Sequence, residues 1–222
     1  MPPDSIAGRI AELRKRIAAA CARAGRSPSE VTLIAVTKGV LPEAVRDAIA
    51  AGIRDIGENR VQEAQTKRAA IADLSDTRWH MIGHLQTNKV KAALGLFDTI
   101  HSVDSIHLAE EISRRAPAPV PVFLEVNLAG EPAKTGLALA SLPAAHEAIS
   151  RLPNIDLRGL MTVAPVAESP EAVRPIFRRL ADKARLLNLG GLSMGMSDDF
   201  EVAVEEGATH VRLGRAIFGE RA

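Results

Sequence analysis

Tyrosine is absent from this 222-residue chain, and cysteine occurs once. The first absence removes every phenol from the available acid–base groups. The second excludes an internal disulfide and a cysteine-based metal cage. Cys21 falls in register with Ile6, Ile10, Leu13 and Ile17, which reads as the buried face of a helix. No apolar run approaches the ~20 residues that cross a bilayer, and MPPDSIAGRIAELRKRIAAA is a charged amphipathic start without a signal-peptide core. A cytoplasmic protein that touches no membrane is expected. Charge of one sign is lacking too. With 28 basic against 27 acidic side chains there is no electrostatic case for nucleic acid, so any anion site must be local.

What the chain does contain is alternation. Apolar β-type runs at Val31 to Thr37, Ile53 to Ile56, Arg78 to Ile82, Thr99 to Val103, Pro121 to Asn127, Leu157 to Val163, Gly191 to Met196 and His210 to Leu213 are separated by helical patterns. A further helix, about Pro3 to Ala24, precedes the first run. Strands alternating with helices require right-handed crossovers and a parallel sheet, and eight such units close into a barrel. The expected fold is α/β, a single (β/α)8 TIM-type barrel with an extra N-terminal helix, in one domain over residues 1–222. Pro175, inside the pattern Pro170 to Leu187, lacks the N–H of an interior helical turn and predicts a kink or a restart. The loops Ala129 to Gly136 and Ala164 to Ser169 follow the fifth and sixth runs and belong at the active face.

Lys38 stands immediately after the first apolar run. A strand buried on both faces ends there, at the carboxyl edge where α/β folds place their chemistry. Loss of hydration at such a place favours a neutral amine, which attacks aldehydes to form a Schiff base. A lysine that merely snorkels at a strand end is the plain alternative.

The C-terminal GLSMGMSDDFEVAVEEGATHVRLGRAIFGE encodes two strands and the turns that leave them. Barrels often bind phosphate with the loops after strands seven and eight and the start of a short extra helix. Gly214 lets backbone approach an anion, the N–H groups of the short stretch Arg215 to Phe218 can donate to it, and the Ser197 hydroxyl can add a bond. The first and eighth strands of a closed barrel are neighbours. An amine beside a phosphate cradle suggests an aldehyde carrying phosphate, and pyridoxal 5'-phosphate is the common cofactor with both groups. Arg212 could then face the pyridine nitrogen and keep it unprotonated; a salt bridge at the barrel mouth is the other reading.

VTKG around Lys38, GENRVQEA at Gly57 to Ala64, WHMIGHLQTNK at Trp79 to Lys89 and the C-terminal LSMGMSDDFEVAVEEGATHVRLGRAIFG resemble the pyridoxal-phosphate-binding homeostasis proteins, the PLPBP or YggS-type family. The likeness runs from about Val31 to Gly219. It implies a barrel of the alanine-racemase N-terminal-domain kind, the cofactor held as a Schiff base on Lys38, no established turnover, and a role as carrier or buffer in vitamin B6 homeostasis. It also implies that Ser197, Gly214 and the Arg215 backbone hold phosphate, that Arg212 faces the pyridine nitrogen, and that Asn59 and Met196 lie near the ring. A monomer is expected, with apo pyridoxal-phosphate enzymes as candidate recipients. Related alanine racemases use a tyrosine as one of two opposed proton-transfer groups, and this chain has none. An amino-acid racemase on the same barrel and a cofactor-free lysine aldolase acting on a phosphorylated sugar are the alternatives.

The remaining polar residues carry plainer expectations. Ser193 could turn into the barrel or towards the helices. His80 and His84 lie on a strand pattern, roughly 13 Å apart at about 3.3 Å per residue, which does not suit a metal pair. His84 could border the cofactor, whereas His101, His107, His146 and His210 read as structural. Asp198, Asp199 and Glu58-Asn59 read as helix-start residues, and Lys134 as a loop amine near the mouth.

Overall fold

The computed structural model describes residues 5–74, 76–131 and 135–220. Nine strands form one all-parallel sheet: β1 Thr32–Val36, β2 Asp55–Glu58, β3 Arg78–Met81, β4 Thr99–Val103, β5 Val120–Asn127, β6 Leu137–Ala138, β7 Ile155–Met161, β8 Gly191–Ser193 and β9 His210–Leu213. The order β4-β3-β2-β1-β9-β8-β7-β5 closes through β4–β5 pairing, so eight strands make the expected barrel. The two residues of β6 add to β5 outside the closed ring. No described helix is long and apolar enough to cross a membrane.

Helices α1 Ile6–Arg23, α2 Pro42–Ala50, α3 Val61–Ala70, α4 Val90–Leu94, α5 Ile106–Arg115, α6 Leu142–Ser150, α7 Arg174–Leu186, α8 Phe200–Glu205 and α9 Arg215–Phe218 cover the outside. Ser5 caps α1 by accepting the Gly8 N–H, and the face of Ile10, Leu13, Ile17, Ala20 and Cys21 is buried. Arg16 pairs with Glu201 and lies 4.7 Å from the Phe200 ring, while Arg26 donates to the carbonyls of Val204 and Ala208. The extra helix is therefore latched to the elements that end in the C-terminal turn. The predicted break at Pro175 is a restart: a 3₁₀ turn over Pro170–Val173 gives way to α7, whose first turn contains the proline.

Two predicted edges move for local reasons. The Ile53 N–H closes the preceding helix on the Ala48 carbonyl, so β2 begins at Asp55 rather than Ile53. Gly195, at φ 94°, turns the chain after Ser193 and shortens the predicted Gly191 to Met196 strand.

Parallel register shows which side chains share the barrel interior, because laterally paired residues point the same way. Ile34 pairs with Asp55 and with Arg212, Gly57 with His80, and Ser193 with His210. This interior is unusually polar. Asp55, His80, His101, Ser193 and Arg212 are all buried, and the His101 ring stacks on Phe123 at 4.4 Å.

That polarity has a stability consequence. Burial pushes His210 down to about 4, a shift reinforced by the neighbouring His80, and burial pushes His101 well below the usual histidine range. Both are neutral in the fold and take up protons on unfolding, so stability is full above about pH 6.5 and falls as the pH drops towards 4. His210 alone contributes a loss on the order of 3 kcal/mol over that window. His210→Gln should roughly halve the slope of unfolding free energy against pH between 6 and 4.5, measured by urea titration. An unchanged slope would show that His210 is not buried as a neutral ring.

Candidate functional site

The carboxyl ends of the strands carry the predicted residues. Lys38 sits in the turn just after β1, half-buried, and its amine makes no hydrogen bond or ion pair among the described residues. The neighbouring amine of Lys67 is different. It is buried behind Thr37, donating to the Thr37 carbonyl, Glu58 and Glu63, which occupies all three of its N–H bonds. Glu58 is thus the partner of a buried lysine rather than a helix-start residue. Its burial pushes the carboxyl up, against the hydrogen bonds from Lys67 and Thr37.

A cavity of about 630 Å³ opens beside Lys38, lined by Asn59, Arg60, Gly83, His84 and Lys89 among others. Gly83 is required where it stands, because a Cβ there would lie 2.5 Å from the Asn59 carbonyl oxygen. Close backbone contact therefore holds the β2 and β3 exits together and fixes Asn59 at the cavity wall. His84 is exposed and pairs with Asp104 at 2.9 Å, whereas His80 is buried in the interior, so the two do not share a site.

The cradle forms between the β8 and β9 exits. The Ser197 hydroxyl accepts the Ala216 N–H at 3.2 Å, and the Gly214 carbonyl accepts those of Ile217 and Phe218. The N–H groups of Ser197, Gly214 and Arg215 donate to no described acceptor. One of these free donors lies on the turn after β8 and two on the turn after β9, and free backbone N–H groups of this kind are able to take an anion. Gly214 packs tightly on β1: a Cβ there would meet the Val36 carbonyl oxygen at 3.3 Å. Cradle and amine thus sit on the adjacent strands β9 and β1, as the sequence suggested. The Arg215 side chain points away from this role, pairing with Asp198 at the surface.

Met196 lines a separate cavity of about 290 Å³ with Asp198, Asp199 and the 164–169 loop. The predicted set is therefore divided: Lys38 and Asn59 on one side of the mouth, Met196 on the other, with the Gly214 turn belonging to neither cavity. The capping expectation for Asp198 and Asp199 is corrected. Asp198 binds Arg215, and Asp199, although it precedes α8, accepts the Met196 N–H and caps nothing with its side chain. Lys134 lies outside the described residues.

Arg212 makes no salt bridge among the described residues. It is 5% exposed and donates to Ser193 Oγ at 2.7 Å and to the Thr162 carbonyl at 2.8 Å. Burial pushes it down to about 10, with Asp199 and Glu125 partly compensating, so it remains a cation at neutral pH. The salt-bridge reading is thereby replaced by a buried guanidinium held on neutral acceptors. Ser193 turns into the barrel, which settles its alternation.

Glu125, near the end of β5, was not singled out by sequence. In the closed ring β5 lies opposite β1, so this carboxyl faces the mouth from the side opposite Lys38. It is 7% exposed and accepts from the Thr135 hydroxyl. Burial pushes it up, and Asp104 adds to the shift against Arg212 and His84. Its signal was a charged residue inside the apolar run VFLEVN.

Comparison with known proteins places this geometry. The sequence model of the family described as "Alanine racemase, N-terminal domain" matches residues 9–222. Pyridoxal phosphate homeostasis proteins of Pseudomonas aeruginosa and Aquifex aeolicus are 47% and 46% identical, over 98% and 96% of this chain and 96% and 97% of theirs. The structure of PipY from Synechococcus elongatus with PLP bound superposes with a TM-score of 0.86 at 40% identity, covering 97% of this chain and all of that one. Alanine racemase from Corynebacterium glutamicum, at 19% identity and a TM-score of 0.68 over 61% of its chain, shares the fold. The chain belongs to the alanine racemase N-terminal domain family and, within it, to the pyridoxal phosphate homeostasis proteins.

Proposed function

We propose that this chain binds pyridoxal 5'-phosphate through Lys38 as a Schiff base and acts, as one domain over its length, as a carrier or buffer of the cofactor without catalytic turnover. The observation that carries the reading is an amine after β1, without a described partner, on the strand next to the turn that bears the free Gly214 and Arg215 N–H groups, with the free Ser197 N–H on the turn after β8. The donor set fits the group. An amine answers the aldehyde, the Ser197, Gly214 and Arg215 N–H groups answer the phosphate, and Arg212, donor-only and charged, answers a pyridine nitrogen that keeps its lone pair. Asn59 lines the cavity beside Lys38, and Met196 lines the smaller one beside the 164–169 loop. The relatives' names and the PLP-bound PipY structure support the same assignment.

The cofactor supplies electrophilic and electron-sink chemistry when bound. The chain's own part is to hold the phosphate, orient the ring and present one amine. Arg212 weakens the electron sink, because a guanidinium does not hand its proton to a pyridine. That favours holding over turnover. A monomer that passes cofactor to apo-enzymes completes the proposal. The test is direct: the loaded protein should show a yellow band bleached by borohydride and should reactivate an apo pyridoxal-phosphate enzyme faster than its own release into buffer allows. A colourless protein saturated with the cofactor would sink the Lys38 assignment, and transfer no faster than free release would sink the carrier role.

The cradle makes a graded prediction. Ser197→Ala removes one hydroxyl and is expected to weaken binding by about 1.5–3 kcal/mol, the worth of one hydrogen bond to a charged acceptor. Gly214→Val both crowds Val36 and covers the free N–H groups, and should weaken it considerably more. Titration of the absorbance band reads the order. Equal affinities in both variants would place the phosphate elsewhere.

A further inference from the structure

The buried polar groups in the barrel form a continuous series. Asp55 Oδ1 lies 3.0 Å from His80 Nε2, His80 Nδ1 lies 3.0 Å from His101 Nε2, His101 Nδ1 lies 2.8 Å from Ser193 Oγ, and Ser193 Oγ lies 2.7 Å from Arg212 Nη1. The series runs from the amino-end floor of the barrel, where Arg78 also binds Asp55, to the guanidinium under the mouth. Burial works against ionising Asp55, but the bonds from His80 and Arg78 outweigh it and hold its pKa at about 2. At neutral pH Asp55 is a carboxylate that can only accept.

The proton positions follow from the two ends. A carboxylate requires N–H at His80 Nε2, and a neutral ring with that proton leaves Nδ1 as an acceptor. His101 must then carry its proton on Nε2, which leaves its Nδ1 to accept from the Ser193 hydroxyl. Ser193 has spent its only proton, so its lone pairs take the Arg212 N–H. Arginine, donor-only, fits that end and no other. Every bond points the same way, and none of these atoms is among the buried polar atoms left without a partner. With both rings neutral, reversing any one link would set two donors or two lone pairs face to face.

We propose that Arg212→Ser193→His101→His80→Asp55 is a one-way hydrogen-bond chain that keeps Arg212 charged and aimed at the mouth, with Ser193 and His101 as positioning residues for it. Among the described residues Arg212 has no carboxylate in hydrogen-bond contact. Its charge is instead answered by aligned dipoles that end on Asp55 at the other end of the barrel, and polarisation along the series strengthens each bond. His101, which sequence reads as structural, and His80, which sequence reads only as unsuited to a metal pair, thus set the donor geometry of the binding site. The bearing on ligand rests on the reading that Arg212 faces the pyridine nitrogen; the chain itself does not.

Long-range ¹H–¹⁵N correlation spectra of the full-length, histidine-labelled protein without ligand test the direction. At neutral pH both His80 and His101 should be neutral with the proton on Nε2. An imidazolium, or an Nδ1–H tautomer, at either residue overturns the chain. Ser193→Ala removes the donor to His101 Nδ1, so the His101 Nδ1 resonance should shift as its lone pair loses that partner, while His80 and Asp55 keep the His101 proton on Nε2. Unmoved His101 signals would also overturn it. The same variant should bind pyridoxal 5'-phosphate about tenfold more weakly, because a buried guanidinium N–H loses its acceptor, yet reach the same borohydride-trapped fraction at saturation. Wild-type affinity in Ser193→Ala would remove the positioning role. Failure of the wild-type protein to bind the cofactor at all would strike the functional reading alone, since the tautomers are read without it.

Discussion

Lys38→Ala is expected to abolish covalent attachment of pyridoxal 5'-phosphate while the barrel stays folded. The side chain is half-buried in a turn and makes no hydrogen bond or ion pair among the described residues, so truncating it leaves nothing unsatisfied. A substitution of that kind shifts stability by about 0.5 kcal/mol or less. Two other amines stand near enough to mislead. Lys67 is excluded by its own bonds, since Glu58, Glu63 and the Thr37 carbonyl use all of its donors. Lys89 lines the same cavity as Lys38 and is the real competitor. Borohydride reduction of the loaded wild-type protein followed by peptide mapping should place the label on the peptide containing Lys38, and the variant should carry none. Label on the Lys89 peptide of the wild type would reassign the amine. The phosphate cradle is untouched by the substitution, so weak reversible binding should survive in the variant.

The sequence made the barrel readable because periodicity and length carry it. The runs His210 to Leu213 and Thr99 to Val103 are strands with those ends, since buried parallel strands are near-continuous apolar segments bounded by breakers. The edges that moved did so where an apolar residue serves a helix end, as Ile53 does, or where a glycine at positive φ ends the strand early, as at Gly195. The placement of Lys38 beside the Gly214 turn was legible too, because it follows from the adjacency of first and last strands in any closed barrel. The polar interior was not. Whether His101 faces His80 depends on register between β3 and β4, and sequence periodicity gives each strand's faces without giving that register. Arg212 shows the same limit. A buried arginine suggests a carboxylate partner, and only the fold reveals that its acceptors are a serine and a backbone carbonyl.

Fully loaded with cofactor, the protein is expected not to racemise alanine. Inversion at carbon needs an electron sink and a proton-transfer group on each face of the substrate. On the proposed placement the sink is weak, because Arg212, with a pKa of about 10, stays protonated beside a far less basic pyridine nitrogen. One face has the Lys38 amine. The other lacks the phenol that racemases use, because the chain contains no tyrosine. Glu125 is the group that could stand in, a carboxyl on the opposite strand whose burial favours the protonated form. Its burial and the Asp104 charge favour the protonated form over the hydrogen bond it accepts from Thr135 and the charge of Arg212, which suits a standing acid rather than a group that cycles as a base. Loss of general acid–base catalysis on one face costs a factor of ~10²–10⁴ before the weak sink is counted. Solvent deuterium incorporation at the α-carbon of L- and D-alanine measures both faces at once. No inversion, with at most slow exchange in the configuration supplied, is the expected result. Inversion at about 1 s⁻¹ or faster, as working enzymes show, would make this chain a racemase. Its loss in Glu125→Gln, with cofactor binding retained, would then identify Glu125 as the second proton-transfer group.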